Sequence, residues 1–227
     1  MTPSLITFDA YSALLDFEGG LVPVMGDVSG AMDPTPLVRA WRAKQLEYAQ
    51  ISNSLQRERI PFRTLTRRSL LYVCAVTGCP LSDRDVTRLV EAWDELPLWP
   101  EAAEVLNALR ASGFALAILS NGDEDMLKAV ADHHGLAFDH YFASDQAGYY
   151  KPHPAMYGLP SKLRSLSDVD VLHVAGSATD VLGAKLAGMR CAWSNRKGDR
   201  MLDPDVQADH EMSDLSGLLE LTRGKAD

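Results

Sequence analysis

The chain is poor in cysteine and has no long apolar run. Its three cysteines, Cys74, Cys79 and Cys191, are odd in number and lack paired spacing, which argues against a disulfide framework and fits a reducing compartment. No window approaches the roughly eighteen consecutive apolar residues of a membrane span. Residues 1–4 have no basic start, so the sequence predicts no signal peptide. We therefore expect a cytoplasmic protein with no membrane partner.

Positive charge is also in short supply. The 227 residues include 22 Lys and Arg against 31 Asp and Glu, a formal net charge of −9. This balance argues against a nucleic-acid or membrane-surface partner, although local charge in a pocket can still bind an anionic substrate. The six histidines lack the spacing of metal ligands, so we expect no metal site.

Short apolar runs separated by helical patterns indicate the fold class. The runs lie at residues 5–8, 115–119, 169–175 and, more weakly, 191–193. Helical patterns occupy residues 123–134 and 180–186, and each ends near a glycine. Strands that alternate with helices predict an α/β fold with a Rossmann-like, doubly wound parallel sheet.

Residues 17–96 interrupt this alternation. Glycines and prolines between residues 19 and 36 predict a loop, and helices are then expected at residues 37–55, 63–77 and 82–96. The apolar residues expected along one face of the first of these helices are Leu37, Trp41, Tyr48, Ile51 and Leu55. We predict a Rossmann-like core of residues 1–16 and 97–227 and a helical cap domain of residues 17–96.

Reactive side chains follow the predicted strands at the points where the strands end. Asp9 follows the first strand, Ser120 follows the second, and Asp180 comes shortly after the third, while Lys151 stands between the last two in sequence. In a doubly wound sheet these groups converge on one crevice. A carboxylate exposed at a strand tip can act as a nucleophile, and a hydroxyl, a lysine and a second carboxylate suit the formation and hydrolysis of an aspartyl ester.

The ordered set of motifs resembles the haloacid dehalogenase superfamily of hydrolases, and its L-2-haloacid dehalogenase branch most closely. The segments that carry this resemblance are residues 8–11, 41–48, 117–122, 150–152, 157 and 193–196. The run Trp-Arg-Ala-Lys-Gln-Leu-Glu-Tyr at residues 41–48 is the most specific of them. The resemblance implies a hydrolase that cuts the carbon–halogen bond of a short 2-haloalkanoic acid, a small-molecule carboxylate, without a cofactor. It also implies a homodimer formed through the cap.

The resemblance assigns a task to each catalytic group. Asp9 would attack carbon 2 of the substrate and form an ester. Lys151 would keep Asp9 ionised, because a nearby cation favours the charged carboxylate. Asp180 would align or activate the water that cleaves the ester, and Lys151 is an alternative for that task.

The same resemblance assigns substrate contacts. Ser120, with backbone N–H groups at the start of the following helix, would hold the substrate carboxylate. Arg42 and Asn121 would receive the halide. The flank position of Arg42, about 100° from Trp41 around its helix, allows it to point into the crevice while the tryptophan packs.

Five further residues are predicted to surround the substrate. Tyr11 and Tyr157 would position Asp9 and Lys151 or close the pocket, and Phe62 would add an apolar wall. Ser12 stands where the related dehalogenases have glycine, and Ser177 stands where they have asparagine. Both serines are predicted to face the substrate.

Two alternatives stay open at this point. A Mg²⁺-dependent phosphatase of the same superfamily usually has a second Asp two residues after the nucleophile, where this chain has Tyr11, and a further Asp where it has Ser177. A catalytically weak carboxylate-binding descendant is the other alternative, because Ala13, Ala175 and Thr179 replace a threonine, a serine and a tryptophan of the dehalogenases.

Overall fold

A parallel six-stranded sheet forms the centre of the molecule. The computed structural model describes residues 3–55, 58–164 and 170–222. The strands are β1 (Leu5–Phe8), β2 (Ala115–Ser120), β3 (His140–Ala143), β4 (Val171–Ala175), β5 (Arg190–Ser194) and β6 (His210–Met212). They are arranged in the order β3-β2-β1-β4-β5-β6, and every neighbouring pair is parallel. The predicted α/β class and doubly wound sheet are confirmed.

The helices fall into a group between β1 and β2 and a group that alternates with the later strands. They are α1 (Phe17–Ser29), α2 (Thr35–Ser52), α3 (Phe62–Thr77), α4 (Asp83–Glu91), α5 (Ala102–Ala111), α6 (Glu124–His133), α7 (Ser144–Ala147), α8 (Pro154–Tyr157), α9 (Leu159–Arg164), α10 (Ala178–Leu186) and α11 (Gly217–Thr222). A π-helical turn, Ala10–Leu14, follows β1, and a 3-10 turn, Ala92–Glu95, follows α4. Buried apolar clusters cover the sheet.

The predicted strands are found, and two more were missed. The run at residues 169–175 becomes β4, with Val169 outside the described residues. The missed strands, β3 and β6, lie at the two edges of the sheet and are only partly buried. A half-exposed strand of three or four residues carries too few apolar positions to stand out as a run.

The loop predicted between residues 19 and 36 is wrong up to Ser29, because α1 occupies that part, while residues 30–34 are not helical. The Asp16 side chain caps this helix by accepting a hydrogen bond from the Gly19 N–H (2.9 Å). Gly20 brings the helix against the segment after α4, where a Cβ would lie 2.7 Å from side-chain atoms of Leu96 and Pro97. Close packing therefore overrides the low helix propensity of its glycines.

The inner face of α2 also differs from the prediction. Its buried residues are Val38, Trp41, Gln45 and Ala49. Of the predicted face, Trp41 is buried, Leu37 and Tyr48 are partly buried, and Ile51 and Leu55 are exposed. The helix ends at Ser52, before Leu55. Trp41 Nε1 donates to the Thr66 carbonyl (2.9 Å) and Gln45 Nε2 donates to Thr66 Oγ1 (2.6 Å), which fixes α2 against α3.

Polar contacts join the helices between β1 and β2 to the residues that follow the sheet strands. Asn53 exchanges two hydrogen bonds with the Tyr150 backbone (2.8 and 2.9 Å). Arg59 pairs with Asp123 (2.7 Å), and the Asp123 side chain accepts from the Phe62 N–H. The division into a core and a cap of residues 17–96 stays a prediction. Within the described ranges, no helix combines the length and apolarity needed to cross a membrane.

Candidate active site

Asp9 stands at the carboxyl end of β1, where the strand order of the sheet reverses. β1 is paired with β2 on one side and β4 on the other, and the Asp9 N–H donates to the Val174 carbonyl (3.0 Å). Ligands of open α/β sheets bind in the crevice beside such a switch point. The topology therefore places this carboxylate where a substrate would arrive.

Four donors hold the buried Asp9 carboxylate. One oxygen, Oδ2, accepts from the Ser12 N–H (2.9 Å) and Ser12 Oγ (2.5 Å). The other oxygen, Oδ1, accepts from Ser120 Oγ (2.9 Å) and Lys151 Nζ (3.4 Å). The carboxylate is thus fixed in one orientation, with 7% of the residue exposed.

Lys151 lies between two carboxylates. Its Nζ is 2.9 Å from Asp180 Oδ2, in addition to its contact with Asp9. The Lys151 backbone N–H donates to Asn121 Oδ1 (2.6 Å), which fixes the amide oxygen of that residue. The lysine and both aspartates are buried, so their charges interact with little screening by solvent.

Asp180 is oriented by polar groups on every side. Its Oδ1 accepts from Tyr157 Oη (2.8 Å), and its Oδ2 lies 3.0 Å from Nε2 of His173. Burial alone would raise the pKa of Asp180, but the Lys151 ammonium and His173 hold it well below its usual range. Burial and Asp180 raise the pKa of Tyr157. Asp180 is therefore a carboxylate and Tyr157 a neutral hydrogen-bond donor at neutral pH.

The start of α10 closes on the turn after β1. Ser177 caps the helix, since its Oγ accepts from the Asp180 N–H (3.3 Å). At Gly176 a Cβ would lie 2.3 Å from the Ser12 backbone carbon, so only glycine fits there. This close approach sets the distance between the Asp9 and Asp180 side chains.

Arg42 is a partly buried cation in an aromatic box. Its guanidinium carbon lies 5.4 to 5.7 Å from the ring centres of Tyr11, Phe17 and Trp93. Its NH1 donates to Gln45 Oε1 (2.5 Å). Among the residues that the structure describes, no carboxylate forms an ion pair with Arg42 within 4.0 Å. Burial lowers its pKa, yet an arginine in a protein keeps its charge. The site therefore offers N–H donors to an anion.

A cavity of about 260 Å³ joins these groups. Its lining includes seven predicted site residues: Asp9, Ser12, Arg42, Asn121, Lys151, Ser177 and Asp180. The other lining residues, which were not predicted to contact the substrate, are Leu15, Phe17, Leu46, Gln50, Trp99, Gly176, Thr179, Asn195, Arg196, Lys197 and Asp199. The lining combines four apolar side chains and four cationic ones with three carboxylates, Asp9, Asp180 and Asp199.

Four predicted substrate contacts lie behind the cavity lining. Ser120 donates to Asp9, so its hydroxyl is directed at the carboxylate and not at the cavity. Phe62 does not form the predicted wall, because it is fully buried and stacked on Tyr11 (5.7 Å between ring centres). Tyr11 packs behind Arg42. Tyr157 donates its hydroxyl to Asp180, and its ring centre lies 5.8 Å from Lys151 Nζ.

The sequence analysis missed His173, a fully buried residue of β4 that contacts Lys151 and Asp180. One signal was available, because a histidine within an apolar strand needs a hydrogen-bond partner. The partners of His173 depend on which strand lies beside β4 and on where the Lys151 side chain points. The sequence gives neither.

The comparisons with known proteins agree with this geometry. A model of the family described as haloacid dehalogenase-like hydrolase matches residues 3–188. The chain belongs to that family. Among curated haloacid dehalogenase-like hydrolases, it is 32% identical over 229 residues to (S)-2-haloacid dehalogenase of Pseudomonas sp. (strain YL), with 98% of this chain and 97% of the relative covered.

Two further relatives extend the likeness within the haloacid dehalogenase-like hydrolases. Haloacetate dehalogenase H-2 of Moraxella sp. (strain B) is 34% identical over 195 residues, which cover 85% of this chain and 86% of the relative. The structure of L-2-haloacid dehalogenase from Xanthobacter autotrophicus with chloropropionic acid covalently bound superposes with a TM-score of 0.89 at 26% identity, covering 99% of this chain and 100% of that one.

Proposed function

We propose that the protein is a hydrolase that cleaves the carbon–halogen bond of short 2-haloalkanoic acids through an ester on Asp9. The observation that carries the proposal is the Asp9 carboxylate, fixed by four donors at the edge of a cavity that Arg42 also lines. The names of the relatives, which include (S)-2-haloacid and haloacetate dehalogenases, support the same chemistry.

In the first step an Asp9 oxygen attacks carbon 2 in line with the leaving group. The new carbon–oxygen bond forms as the carbon–halogen bond breaks, and the halide leaves with the bonding pair. Arg42 and Asn121 receive the halide, since both line the cavity and Asn121 has its oxygen engaged by Lys151, which leaves its amide N–H groups to face an anion. Ser177 lines the cavity and donates its hydroxyl to the substrate carboxylate, while the hydroxyl of Ser12 stays on Asp9.

In the second step water attacks the carbonyl carbon of the Asp9 ester. Asp180 orients this water and takes its proton, and Lys151 and Ser120 stabilise the negative charge that develops on the former carboxylate oxygen. When the intermediate collapses, the carbon–oxygen bond to the substrate breaks and the leaving oxygen takes the proton of the intermediate's hydroxyl. This releases a 2-hydroxy acid and restores the Asp9 carboxylate. Asp180 then passes the proton to solvent. Splitting displacement from hydrolysis replaces one difficult step by two easier ones.

The residues around Asp9 favour this chemistry over phosphate transfer with Mg²⁺. Ser177 stands where superfamily phosphatases have a further Asp, and the ammonium group of Lys151 pairs with Asp9 and Asp180. Tyr11 stands where superfamily phosphatases have a second Asp, and it packs among aromatic rings. The proposed reaction therefore uses no cofactor.

The cavity also supports a small substrate. At about 260 Å³ it lies below the roughly 300 to 1,000 Å³ of pockets for drug-sized ligands. Leu15, Phe17, Leu46 and Trp99 provide apolar contacts for a short alkyl chain. A two- to four-carbon acid fits this combination of size and lining.

We propose further that the enzyme works in the cytoplasm as a homodimer, with residues 17–96 as its cap. Three unpaired cysteines support a reducing compartment. The exposed apolar side chains of Leu71, Tyr72 and Val76 on α3 support association through the cap. Light scattering tests the dimer: twice the chain mass is expected, and a Val76→Lys variant should dissociate. A wild-type monomer would refute it.

Halide release tests the reaction. Purified protein is incubated with L- and D-2-chloropropionate, with added Mg²⁺ or with EDTA, and chloride is followed. Chloride is expected from the L form in both conditions, with the D-2-hydroxy acid as product. Phosphate release from phosphate esters that requires Mg²⁺ would favour the phosphatase instead. Binding of the acid without turnover would favour a carboxylate-binding descendant.

Trapping the intermediate tests the role of Asp9. An Asp180→Asn variant should form the ester and hydrolyse it slowly, so mass spectrometry should find the adduct on the peptide that contains Asp9. Asp27, an exposed carboxylate that pairs with Arg88, provides the matched control, and Asp27→Asn should turn over normally. An adduct on another residue would contradict the proposed nucleophile.

A further inference from the structure

His173 connects β1 to the Lys151–Asp180 pair. It lies on β4 in register with Thr7 of β1 and is fully buried. Its Nδ1 is 2.9 Å from Thr7 Oγ1, and its Nε2 is 3.2 Å from Lys151 Nζ and 3.0 Å from Asp180 Oδ2. The ring therefore spans the distance from the first strand to both charged groups that serve the ester.

The chemistry of these partners restricts what the ring can do. An ammonium group only donates hydrogen bonds and a carboxylate only accepts them, so Nε2 either accepts from Lys151 or donates to Asp180. A hydroxyl does both, so Thr7 satisfies Nδ1 in either tautomer. The ring can thus exchange its partner at Nε2 without leaving Nδ1 unsatisfied.

The ring stays uncharged in this setting. Burial and the neighbouring Lys151 ammonium lower the pKa of His173, against the opposing effect of Asp180 and Asp9. The Tyr157 ring packs on a further side, with 6.1 Å between the ring centres. A neutral imidazole is the form that both tautomers require.

We propose that His173 is a positioning residue for hydrolysis of the Asp9 ester. When Asp9 loses its charge, His173 holds Lys151 in one tautomer and Asp180 in the other. The inference rests on the proposed function. In the free enzyme Lys151 has two carboxylate partners, and ester formation removes the charge of one. The tautomer that accepts from Lys151 supplies the missing partner, and the other tautomer fixes Asp180 toward the water.

Single-turnover and steady-state kinetics of substituted enzymes test this role. His173→Phe keeps a buried ring but loses both hydrogen-bonding nitrogens. We expect ester hydrolysis to slow by about 10- to 100-fold, because a displacement of about 1 Å costs about that much, while the first burst of halide release slows less than 5-fold. The ester should accumulate on Asp9. His173→Gln, which retains a polar end, should recover part of the rate.

Two further variants separate positioning from folding. Thr7→Val removes only the hydroxyl that holds Nδ1, so ester hydrolysis should slow by a few-fold with normal halide release. His134→Phe removes another histidine hydrogen bond, to the Leu96 carbonyl, away from the cavity, and should leave both steps unchanged. The inference would be overturned if His173→Phe and Thr7→Val slowed halide release as much as ester hydrolysis. It would also be overturned if neither variant slowed ester hydrolysis.

Nitrogen NMR of labelled histidine rings tests the inference without any turnover. The signals of His173 are those absent from His173→Phe. In Lys151→Met the His173 ring should carry its proton on Nε2 and donate to Asp180. In Asp180→Leu the ring should carry its proton on Nδ1, so that Nε2 accepts from Lys151. A charged ring at pH 7.5, or the same tautomer in both variants, would refute the proposal. If the wild type releases no halide while the tautomers differ as expected, the proposed function fails and the bridging contacts of His173 stand.

Discussion

At the scale of single residues, other donors replace two hydroxyls that the related dehalogenases have and this chain lacks. Ala13 and Ala175 have none to offer, yet both oxygens of Asp9 are satisfied because Ser12 donates its backbone N–H and its hydroxyl to Oδ2. His173, on strand β4, contacts Lys151. The departures from the dehalogenase pattern therefore change the partners of the catalytic groups and leave their hydrogen bonds in place.

Ser12→Ala tests this replacement. The variant keeps the backbone hydrogen bond to Asp9 and loses the hydroxyl, so the carboxylate is less firmly aimed at carbon 2. A hydrogen bond to an ionised group contributes about 1.5 kcal/mol or more, so the first burst of halide release should slow about tenfold. Ser29→Ala, whose hydroxyl donates to the Met25 carbonyl in α1, is the control and should be normal. An undiminished burst in Ser12→Ala would show that the hydroxyl is dispensable.

The positions of Asp9, Ser120, Lys151 and Asp180 around one crevice were predictable because strand ends are visible in the sequence. Asp9 follows an apolar run directly, and the order of Asp9, Ser120, Lys151 and Asp180 matches the family. The supporting contacts were not predictable in the same way. Whether Ser120 faces the cavity or the carboxylate depends on its rotamer, and whether Phe62 lines the cavity depends on how α3 packs against Tyr11.

At the scale of elements, α1 shows why composition misled the sequence analysis. A segment with Gly19, Gly20, Pro23 and Gly26 has poor helix propensity, yet it forms a helix that packs on the segment after α4. Only the three-dimensional contact shows that Gly20 is needed for close packing. Strand β6 was also missed, because the formation of this three-residue strand depends on its pairing with β5 more than on its own residues.

Glycine-to-alanine substitutions in α1 test this explanation. A Cβ at Gly20 would clash with Leu96 and Pro97 at 2.7 Å, so Gly20→Ala should lower the free energy of unfolding by about 1 to 3 kcal/mol. At Gly26 the nearest atom is Pro34 Cγ at 3.4 Å, so Gly26→Ala should be neutral or stabilising by up to about 1 kcal/mol. Urea unfolding measures both. Equal effects would mean that helix propensity alone governs α1.

At the scale of the whole molecule, an acidic protein concentrates positive charge around its cavity. The net charge is −9, whereas the cavity lining holds four cationic side chains, Arg42, Lys151, Arg196 and Lys197, against the three carboxylates of Asp9, Asp180 and Asp199. Local charge of this kind attracts an anion even when the total charge repels it. The buried charges also connect the stability of the whole fold to pH.

His173 determines the direction in which one part of the stability changes with pH. Its pKa is lowered in the folded state, so between that value and about 6.5 the unfolded chain binds more protons. Its contribution to the free energy of unfolding is therefore full above pH 6.5 and is lost as the pH falls below that value. The loss is at most about 1.4 kcal/mol for each pH unit. Urea unfolding at pH 7.5 and 5.5 should show a smaller advantage of wild type over His173→Phe at the lower pH. An advantage that grows on acidification would mean a charged ring.

The most direct test of the central claim follows the oxygen atoms through one turnover. Enzyme in molar excess over L-2-chloropropionate is allowed to react once in water labelled with oxygen-18. If Asp9 forms the ester and water attacks its carbonyl carbon, the product hydroxyl comes from Asp9. The 2-hydroxy acid should then carry no label, and the peptide that contains Asp9 should carry it. Label in the product after a single turnover, with none in the peptide, would mean that water attacks carbon 2 directly and that no ester forms on Asp9.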